Sequence, residues 1–155
     1  MMDIRIAAYA VIIRDGEILL SHWNEHGRSG WTLPGGGIDE AEHPVQAAKR
    51  EILEETGYHA SIDRLLGIDT MVVPAARRHR GDSPLYAMRI VYRASVIGGD
   101  LRNEVGGSSD EARWFRLDEV PNLKRVSLLD IALRLNDAEP ADGVPPLEGD
   151  RPLDV

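Results

Sequence analysis

The stretch from Gly36 to Tyr58, GGIDEAEHPVQAAKREILEETGY, decides the fold prediction for this chain. Pro44 suits the first position of a helix, where its missing N–H costs nothing. Gly57 suits the left-handed position just past a helix end. Most of the residues between them are good helix formers. The sequence therefore predicts a helix that follows a glycine-rich turn and ends at a second glycine.

The acidic residues of this helix are spaced so that they share one side. At about 100° per residue, Glu51, Glu54 and Glu55 fall within an arc of about 100°. They crowd the C-terminal half of the helix, where the helix dipole disfavours negative charge. A cation would relieve this repulsion, and hard ions such as Mg²⁺ and Mn²⁺ take carboxylate ligands. The alternative interpretation is a solvated helix face with an ordinary Arg50–Glu54 pair.

The same stretch resembles the signature of the Nudix hydrolases, G-x5-E-x7-R-E-U-x-E-E-x-G-U, in which U is a bulky apolar residue. The matching residues are Gly36, Glu42, Arg50, Glu51, Ile52, Glu54, Glu55 and Gly57. Tyr58 stands at the last U, where an aliphatic residue is more usual. Seven strict identities at about 1 in 15 each correspond to a chance match on the order of 10⁻⁸ per window. The motif is therefore a strong signal.

The resemblance implies the Nudix fold, an α/β/α sandwich with a mixed β-sheet, over nearly all of residues 4–135. Two segments outside the signature look like the usual entry to the motif and the usual closing strand of the family, Trp31–Gly37 and Trp114–Val120. The residues alone favour α/β or α+β layering, because predicted strands flank a Glu-rich helix and a last helix follows. We expect one domain over residues 1–135.

The rest of the chain alternates between predicted strands and turns, with Asp15-Gly16 as a tight hairpin turn. The predicted strands are Ile4–Arg14, Glu17–His22, Trp31–Leu33, His59–Leu66, Gly67–Pro74, Leu85–Ile97 and Glu111–Arg116. The predicted loops are Asn24–Gly30 and the basic Ala75–Pro84, and the helical segments are Leu117–Val120 and Arg125–Leu135. Residues 136–155 are rich in Pro, Gly and acids, which predicts a tail that is flexible or lies along the surface.

Composition narrows the class of protein. The chain has 155 residues, 43% of them hydrophobic and 28% charged, which is typical of one globular domain with a sizeable core. A net charge of −8 argues against a nucleic-acid partner but allows a small phosphorylated substrate, since a bound metal reverses the local sign. The absence of cysteine excludes a thiolate nucleophile and disulfides. We see no secretory signal or membrane-spanning run, expect a cytoplasmic location, and leave a homodimer open.

The resemblance implies a metal-dependent pyrophosphohydrolase that uses water to split the P–O–P bridge of a nucleoside diphosphate derivative. ADP-ribose, a dinucleotide or a nucleoside triphosphate would fit this class. Metal ions between the phosphate oxygens offset their repulsion of the incoming nucleophile. Carried over from the motif, the expected metal ligands are Glu51, Glu54, Glu55 and the carbonyl of Gly35, with Glu51 and Glu54 also catalytic. The expected supporting residues are Glu42, Arg50, Gly36 and Gly37.

The residue that removes a proton from water is less constrained by the motif. In this family the base can be a motif glutamate or an acid from a distant loop. Glu111 precedes the closing strand and is the first choice. Glu104 and Asp110 are the other loop acids considered, and Glu104 lies in a glycine-rich run that could fold over the site. A loop acid without a catalytic role is the alternative for each of them.

The residues considered for substrate binding lie outside the motif and are Arg5, Arg28, Trp31 and Arg78, the last within a basic run. Trp31 could stack on a base, although a Trp that begins a strand is more often part of the core. The basic run is more often solvated charge than a phosphate clamp.

Three other functional classes were weighed against the hydrolase. A nucleotide-sensing module of the same fold would bind without turnover, and the intact acidic set disfavours it. A prenyl diphosphate isomerase of this fold typically uses a cysteine, which the chain lacks. A plain interaction module would require the motif to be a coincidence.

Overall fold

The computed structural model describes residues 1–146 and contains two sheets and two α-helices. The strands are β1 (Asp3–Val11), β2 (Ile13–Arg14), β3 (Glu17–Glu25), β4 (Arg28–Thr32), β5 (Gly35–Gly37), β6 (Tyr58–Val73), β7 (Leu85–Gly99) and β8 (Ser109–Arg116). The helices are α1 (Pro44–Thr56) and α2 (Ser127–Ala138), with short 3₁₀ helices at Ala75–Arg77 and Leu117–Asn122.

The sheet that we call sheet A has the strand order β5-β1-β7-β6 and mixes both strand directions. β1 and β7 run parallel, so that Ala7 lies opposite Arg89, while β5 and β6 run antiparallel to their neighbours. Sheet B is antiparallel and joins β2, β4 and β8 to β3. The predicted mixed sheet is confirmed, and the second sheet is additional to it.

Helices cover both faces of sheet A, as the α/β/α prediction requires. α1 packs on one face through Ala47, Ala48 and Ile52. α2 packs on the other face, where its buried leucines meet Val11 and Val91. Sheet B closes the same core with residues such as Ile18, Leu20 and Phe115. The candidate active site lies on the α2 side of sheet A, at the edge formed by β5 and α1.

The ends of α1 lie where the sequence predicts them. Pro44 is the first helical residue, and the side chain of His43 accepts the N–H of Val45 at 3.0 Å. The helix ends before Gly57, which has a φ of 80° and donates its N–H to the carbonyl of Leu53. A side chain at residue 57 would be strained in this left-handed conformation, which is why glycine stops the helix there.

The prediction of a loop at Asn24–Gly30 is wrong, because β3 and β4 form a hairpin across most of this segment. β3 continues to Glu25 and β4 begins at Arg28, and these two residues face each other in the register. The turn consists of His26 and Gly27 alone, with φ of 53° and 76°. Two successive left-handed residues match the twist of the strands, but His-Gly is a weaker signal for such a turn than Asn-Gly.

The predicted strands His59–Leu66 and Gly67–Pro74 are one strand, β6, which pairs with β7 along its whole length. The prediction of two strands places a boundary before Gly67. A glycine is needed at this position for another reason, because a side chain there would collide with Leu135 of α2 and with the backbone of Gly143. At the other end of the sequence, the predicted strand Ile4–Arg14 is divided at Ile12 into β1 and β2.

The last helix, α2, begins and ends later in the chain than the predicted helix Arg125–Leu135. α2 runs from Ser127 to Ala138 and so passes the predicted end at Leu135. Beyond it, the carbonyl of Gly143 accepts the N–H of Ile68 at 2.9 Å, which holds this part of the tail against β6. The remainder of the predicted tail, residues 147–155, lies outside the described residues. Neither α-helix within residues 1–146 has the length and apolar character needed to cross a membrane.

Candidate active site

The acidic face of α1 lines a cavity of about 420 Å³ between the two sheets. Glu51 and Glu55 reach into it from the helix, and the three glycines of β5, Gly35–Gly37, form the neighbouring wall. These glycines give the wall no side chains, so that the helix carboxyls approach the backbone closely. A Cβ at Gly36 would lie 2.8 Å from the carboxyl group of Glu51.

Glu55 is a buried carboxyl group with few compensating contacts. Its Oε2 accepts the N–H of Gly35 at 3.1 Å. Burial raises its pKa well above the ordinary value, and the adjacent Glu51 raises it further. Burial also raises the pKa of Glu51, although the nearby Arg50 opposes the shift. The pair therefore favours either a shared proton or a nearby positive charge.

Arg50 joins the glycine strand to the helix. Its Nε donates to Glu42 Oε2 at 2.9 Å, its Nη1 to Glu51 Oε1 at 3.0 Å, and its Nη2 to the carbonyl of Gly37 at 3.0 Å. The pKa of Arg50 is raised, first by Glu42 and then by Glu51. The same contact with Arg50 lowers the pKa of Glu42, which also accepts the N–H of Asp39. Arg50 and Glu42 thus connect α1 to the glycine strand and its following loop.

Glu54 stands apart from the other two helix acids. Its side chain is about half exposed, and its carboxyl oxygens lie 3.4 Å from Arg50 Nη1. Within the described part of the chain, no three His, Asp or Glu side chains converge into a set that could hold a metal ion. The structure therefore brings Glu51 and Glu55 together, while Glu54 would have to turn from Arg50 toward them.

Glu104 is the loop acid that the structure brings to this cluster. Burial raises its pKa, and Glu51 and Glu54 raise it further; Glu104 in turn raises the pKa of Glu55. Its loop is fixed to the end of α1 by the N–H of Arg102, which donates to the carbonyl of Thr56 at 2.8 Å.

The other two loop acids point elsewhere. Glu111, the first choice from the sequence, pairs with Arg113 at 2.5 Å and does not line the cavity. Asp110 bonds His22 at 2.6 Å and Asn24 at 2.9 Å on β3. In the register of β8 with β3, Glu111 lies opposite His22, whereas Asp110 falls at the irregularity between His22 and Trp23.

Of the four residues considered for substrate binding, only Arg5 lines the cavity. Trp31 packs against the core, with its ring 4.6 Å from that of Phe115, which corresponds to the core interpretation of this residue. Arg78 is engaged by Asp3 at 2.6 Å and by the carbonyl of Ser83. Arg28 begins β4 and is not among the cavity residues.

The sequence does not identify several residues that line the cavity. They are Tyr9, Trp23, Glu25, Met71 and Arg89. Trp23 donates its ring N–H to Glu25 at 3.1 Å, while Arg89 is buried against Asp69. Arg89 could have been flagged as a charge within a long apolar strand, and Tyr9 by its alternation with Arg5. Trp23 carries no such signal, because its place depends on how the two sheets pack.

An acid-rich helix beside a glycine strand, set in an α/β/α sandwich with a cavity between two sheets, defines a recognisable class of domain. A NUDIX domain model matches residues 3–133, and the chain belongs to the Nudix hydrolase family.

Known proteins of this family share sequence and fold with the chain. It is 33% identical over 119 residues to an ADP-ribose pyrophosphatase of Methanocaldococcus jannaschii, covering 76% of this chain and 65% of that protein. It is 53% identical over 100 residues to a putative 8-oxo-dGTP diphosphatase of Bacillus subtilis, covering 61% of this chain and 59% of the relative. The chain thus spans less than two thirds of the length of both relatives.

A solved NUDIX hydrolase structure from Nitrosomonas europaea superimposes with a TM-score of 0.74. The alignment covers 95% of this chain and 97% of that one at 23% identity, which bears on the fold alone.

Proposed function

We propose that this chain is a divalent-metal-dependent hydrolase that splits the P–O–P bridge of a nucleoside diphosphate derivative. The observation that carries the proposal is the buried carboxyl of Glu55 beside the partly buried carboxyl of Glu51, both facing a cavity next to the bare backbone of Gly35–Gly37. Family membership supports the same reaction class.

The donor chemistry of this cluster fits a hard divalent cation. Glu51 and Glu55 offer oxygen ligands whose burial raises their pKa, so a cation would relieve the repulsion between them. We propose these two residues, Glu54 and the carbonyl of Gly35 as the ligands for Mg²⁺ or Mn²⁺. A bound metal would polarise the phosphate and lower the pKa of a bound water.

Arg50 and Glu42 act as positioning residues in this proposal. The guanidinium of Arg50 bonds Glu42, Glu51 and the carbonyl of Gly37 at once, which fixes the helix relative to the glycine strand. A planar guanidinium suits this role, because its donors are held in a fixed fork. Loss of either residue would let the carboxyl of Glu51 move away from the cavity.

Among the loop acids considered as the general base, we propose Glu104, on the basis of its electrostatic interaction with the helix acids. Burial raises the pKa of Glu104, the charges of Glu51 and Glu54 raise it further, and Glu104 in turn raises the pKa of Glu55. Glu111 and Asp110 have other partners outside the cavity. We therefore assign proton removal to Glu104 in place of Glu111.

The far end of the cavity suits the nucleoside part of a substrate. Trp23, Met71 and Leu85 contribute apolar surface to the cavity lining, and Arg5 contributes a cation. The named relatives are an ADP-ribose pyrophosphatase and a putative 8-oxo-dGTP diphosphatase. We propose a free nucleotide of this kind, such as ADP-ribose, a dinucleotide or a nucleoside triphosphate, as the substrate of the present chain. The net charge of −8 favours a small nucleotide over a nucleic acid.

The test is a panel of these nucleotides incubated with the purified chain, with and without Mg²⁺ or Mn²⁺, while phosphorylated products are measured. We expect turnover of at least one compound only when metal is present, and loss of turnover after chelation. Tight binding of a nucleotide without turnover in any metal would favour the alternative function, a sensing module of the same fold. An active protein in the presence of excess chelator would contradict the metal site.

A further inference from the structure

Strand β3 contributes a further carboxylate to the cavity, one that has no part in the proposed metal site. Ser21, Trp23 and Glu25 alternate along β3, and all three line the cavity. Side chains two residues apart on a strand share one face, which explains why these three do so. Glu25 is therefore an acid in the wall of a site proposed to take an anionic substrate, and it would repel a phosphate that no cation separated from it.

Arg5 indicates which part of a substrate would lie next to Glu25. Tyr9 is the largest cause of the raised pKa of Arg5, and the charges of Glu51 and Glu25 raise it further. Arg5 thus interacts with one acid of the helix and with one acid of sheet B. A Cβ at Gly37 would lie 3.8 Å from Arg5 Nη2, so this guanidinium stands beside the glycine strand. The phosphates of a substrate belong with the proposed metal and Arg5, which leaves the uncharged nucleoside for Glu25.

The carboxylate of Glu25 is held in place by its neighbours on the β3–β4 hairpin. Trp23 Nε1 donates to Glu25 Oε2 at 3.1 Å, and His26 Nε2 lies 3.2 Å from Glu25 Oε1. The ring of His26 stacks in turn on that of His79, in the loop between β6 and β7, with 4.9 Å between the ring centroids. The Glu25 side chain is 44% exposed, so it is fixed in orientation but still accessible to another molecule.

The chemistry of this carboxylate defines the groups that it can recognise. An ionised carboxylate accepts hydrogen bonds and donates none, and its two oxygens offer about four lone-pair sites. Trp23 and His26 each occupy one oxygen, which leaves each oxygen a further site. A partner with two adjacent N–H or O–H donors fits this pair of sites, as a forked donor fits a carboxylate.

A nucleoside carries two groups of this kind. One is the edge of guanine, with N1–H beside the amino group, and the other is the ribose diol, with its 2′- and 3′-hydroxyls. The corresponding edge of adenine sets the acceptor N1 beside the amino group, so that a lone pair would face the carboxylate. A 2′-deoxyribose lacks one of the two hydroxyl donors.

We propose that Glu25 is a specificity-determining residue, which selects a nucleoside by a pair of adjacent hydrogen-bond donors. The inference rests on the proposed function, because it assigns the nucleoside end of the same site. Selection of this kind arises because a nucleoside that lacks a donor leaves a carboxylate oxygen unpaired, and one that presents an acceptor is repelled.

The test is the binding of four non-hydrolysable nucleotides by the full chain with Mg²⁺, measured by isothermal titration calorimetry. They are the α,β-methylene analogues of GDP, 2′-deoxy-GDP, ADP and 2′-deoxy-ADP. If the donors are those of guanine, both guanine analogues should bind at least about 10-fold more tightly than both adenine analogues. If they are those of ribose, both ribose analogues should have at least about that advantage over the deoxyribose analogues. Either pattern supports the proposal.

Equal affinity for the four analogues, or no binding of any of them, would overturn the role of Glu25. Because binding is measured apart from turnover, this result is independent of the reaction. A chain that binds the analogues with the expected preference but hydrolyses no natural nucleotide would contradict the proposed function alone.

Glu25→Gln links the preference to this side chain, since it keeps the shape of Glu25 and replaces one acceptor by a donor. The preference should fall to within about twofold, or turn toward adenine if guanine was selected, because an amide matches the amino group and acceptor of adenine. Thermal unfolding should be unchanged. The matched control is Glu17→Gln, at the start of β3 and outside the cavity, which should keep the preference. A preference that survives Glu25→Gln, or that the control removes equally, would refute the assignment.

Discussion

Glu51 and Glu55 lie one turn apart on α1, and their carboxyl groups are close enough to hydrogen-bond each other. Burial is the largest cause of the raised pKa of both groups, and Glu51 adds to the shift at Glu55. Two carboxyls this close titrate as a pair, since the second ionisation is opposed by the charge left by the first. A proton and a metal cation are therefore competing ways to neutralise the same site.

This competition predicts how stability depends on pH when divalent metal is chelated. The folded-state pKa of Glu55 is raised above its ordinary value of 4.5, so the folded chain binds more protons than the unfolded chain between these two values. The stabilisation from this group is complete below about pH 4.5 and is lost as pH rises through the raised pKa. We expect the free energy of unfolding, measured with urea in chelator, to fall across this window.

The variant Glu55→Gln provides the comparison, because it cannot ionise. Its free energy of unfolding should be flatter with pH over the same window, and saturating Mg²⁺ should flatten the wild-type curve as well. Parallel curves for the wild type and the variant in chelator would contradict the assigned role of Glu55.

The two adjacent glycines of β5 predict opposite outcomes for the same substitution. In Gly36→Ala the new methyl group would lie 2.8 Å from the carboxyl of Glu51, whereas in Gly37→Ala its nearest neighbour is Arg5 Nη2 at 3.8 Å. The Glu51 side chain can move to relieve the collision, so we expect Gly36→Ala to remain folded. Displacement of a proposed metal ligand should nevertheless lower kcat/KM at least about 10-fold.

Gly37→Ala is the matched control for this experiment and should stay within about threefold of the wild type, since its methyl group meets no close atom. Steady-state kinetics should give kcat/KM for both variants, and thermal unfolding should show whether each remains folded. Equal losses of kcat/KM in the two variants would mean that the strand itself, and not the position of Glu51, was disturbed.

Replacing the carboxylate of Glu54 or Glu55 by an amide should lower turnover and leave the fold intact. Glu54→Gln or Glu55→Gln should each reduce turnover at least about 100-fold, as expected when a catalytic metal is held poorly. Glu119→Gln, an exposed acid in the 3₁₀ helix after β8, serves as the control and should be fully active. Titration with Mn²⁺ should give weaker binding for the two helix variants alone. A fully active Glu54→Gln, Glu55→Gln double variant would remove these residues from the site.

The loop acids allow a direct comparison between the sequence-based choice and the structural one. Glu104→Gln should lower kcat by about 10²–10⁴-fold, the usual contribution of a general base, and should remove the acidic limb of the pH–rate profile. Glu111→Gln should remain within about twofold of the wild type, because Glu111 pairs with Arg113 outside the cavity. The reverse pattern would restore Glu111 as the base.

Local signals in the sequence predicted the part of the site that lies on one helix. Pro44, Gly57 and the spacing of Glu51, Glu54 and Glu55 depend on helix geometry alone, and α1 begins and ends as expected. The mixed sheet and the two-helix sandwich also followed from the pattern of elements and from the family resemblance.

The rest of the site depends on contacts between segments that are distant in sequence. The spacing of residues within one element cannot predict such contacts. Glu104 interacts electrostatically with the helix acids, and its loop bonds the end of α1 through Arg102. Trp23 lines the cavity because sheet B packs beside sheet A. Gly67 shows the same limit within one strand. The sequence predicts a second strand that begins at Gly67, but the strand is continuous and a glycine is needed there because α2 and Gly143 pack against it.

The buried pair of Asp69 and Arg89 predicts a large effect on stability away from the helix acids. Their side chains are 2% and 6% exposed, and Asp69 Oδ2 lies 2.5 Å from Arg89 Nη2. Asp69→Asn would remove the carboxylate charge of Asp69 from beside a buried guanidinium, which should cost about 3–5 kcal/mol of unfolding free energy in urea titrations. Asp118→Asn, which breaks the exposed pair with Arg116, should cost at most about 1 kcal/mol. Equal costs for the two substitutions would mean that the Asp69–Arg89 pair is solvated in solution.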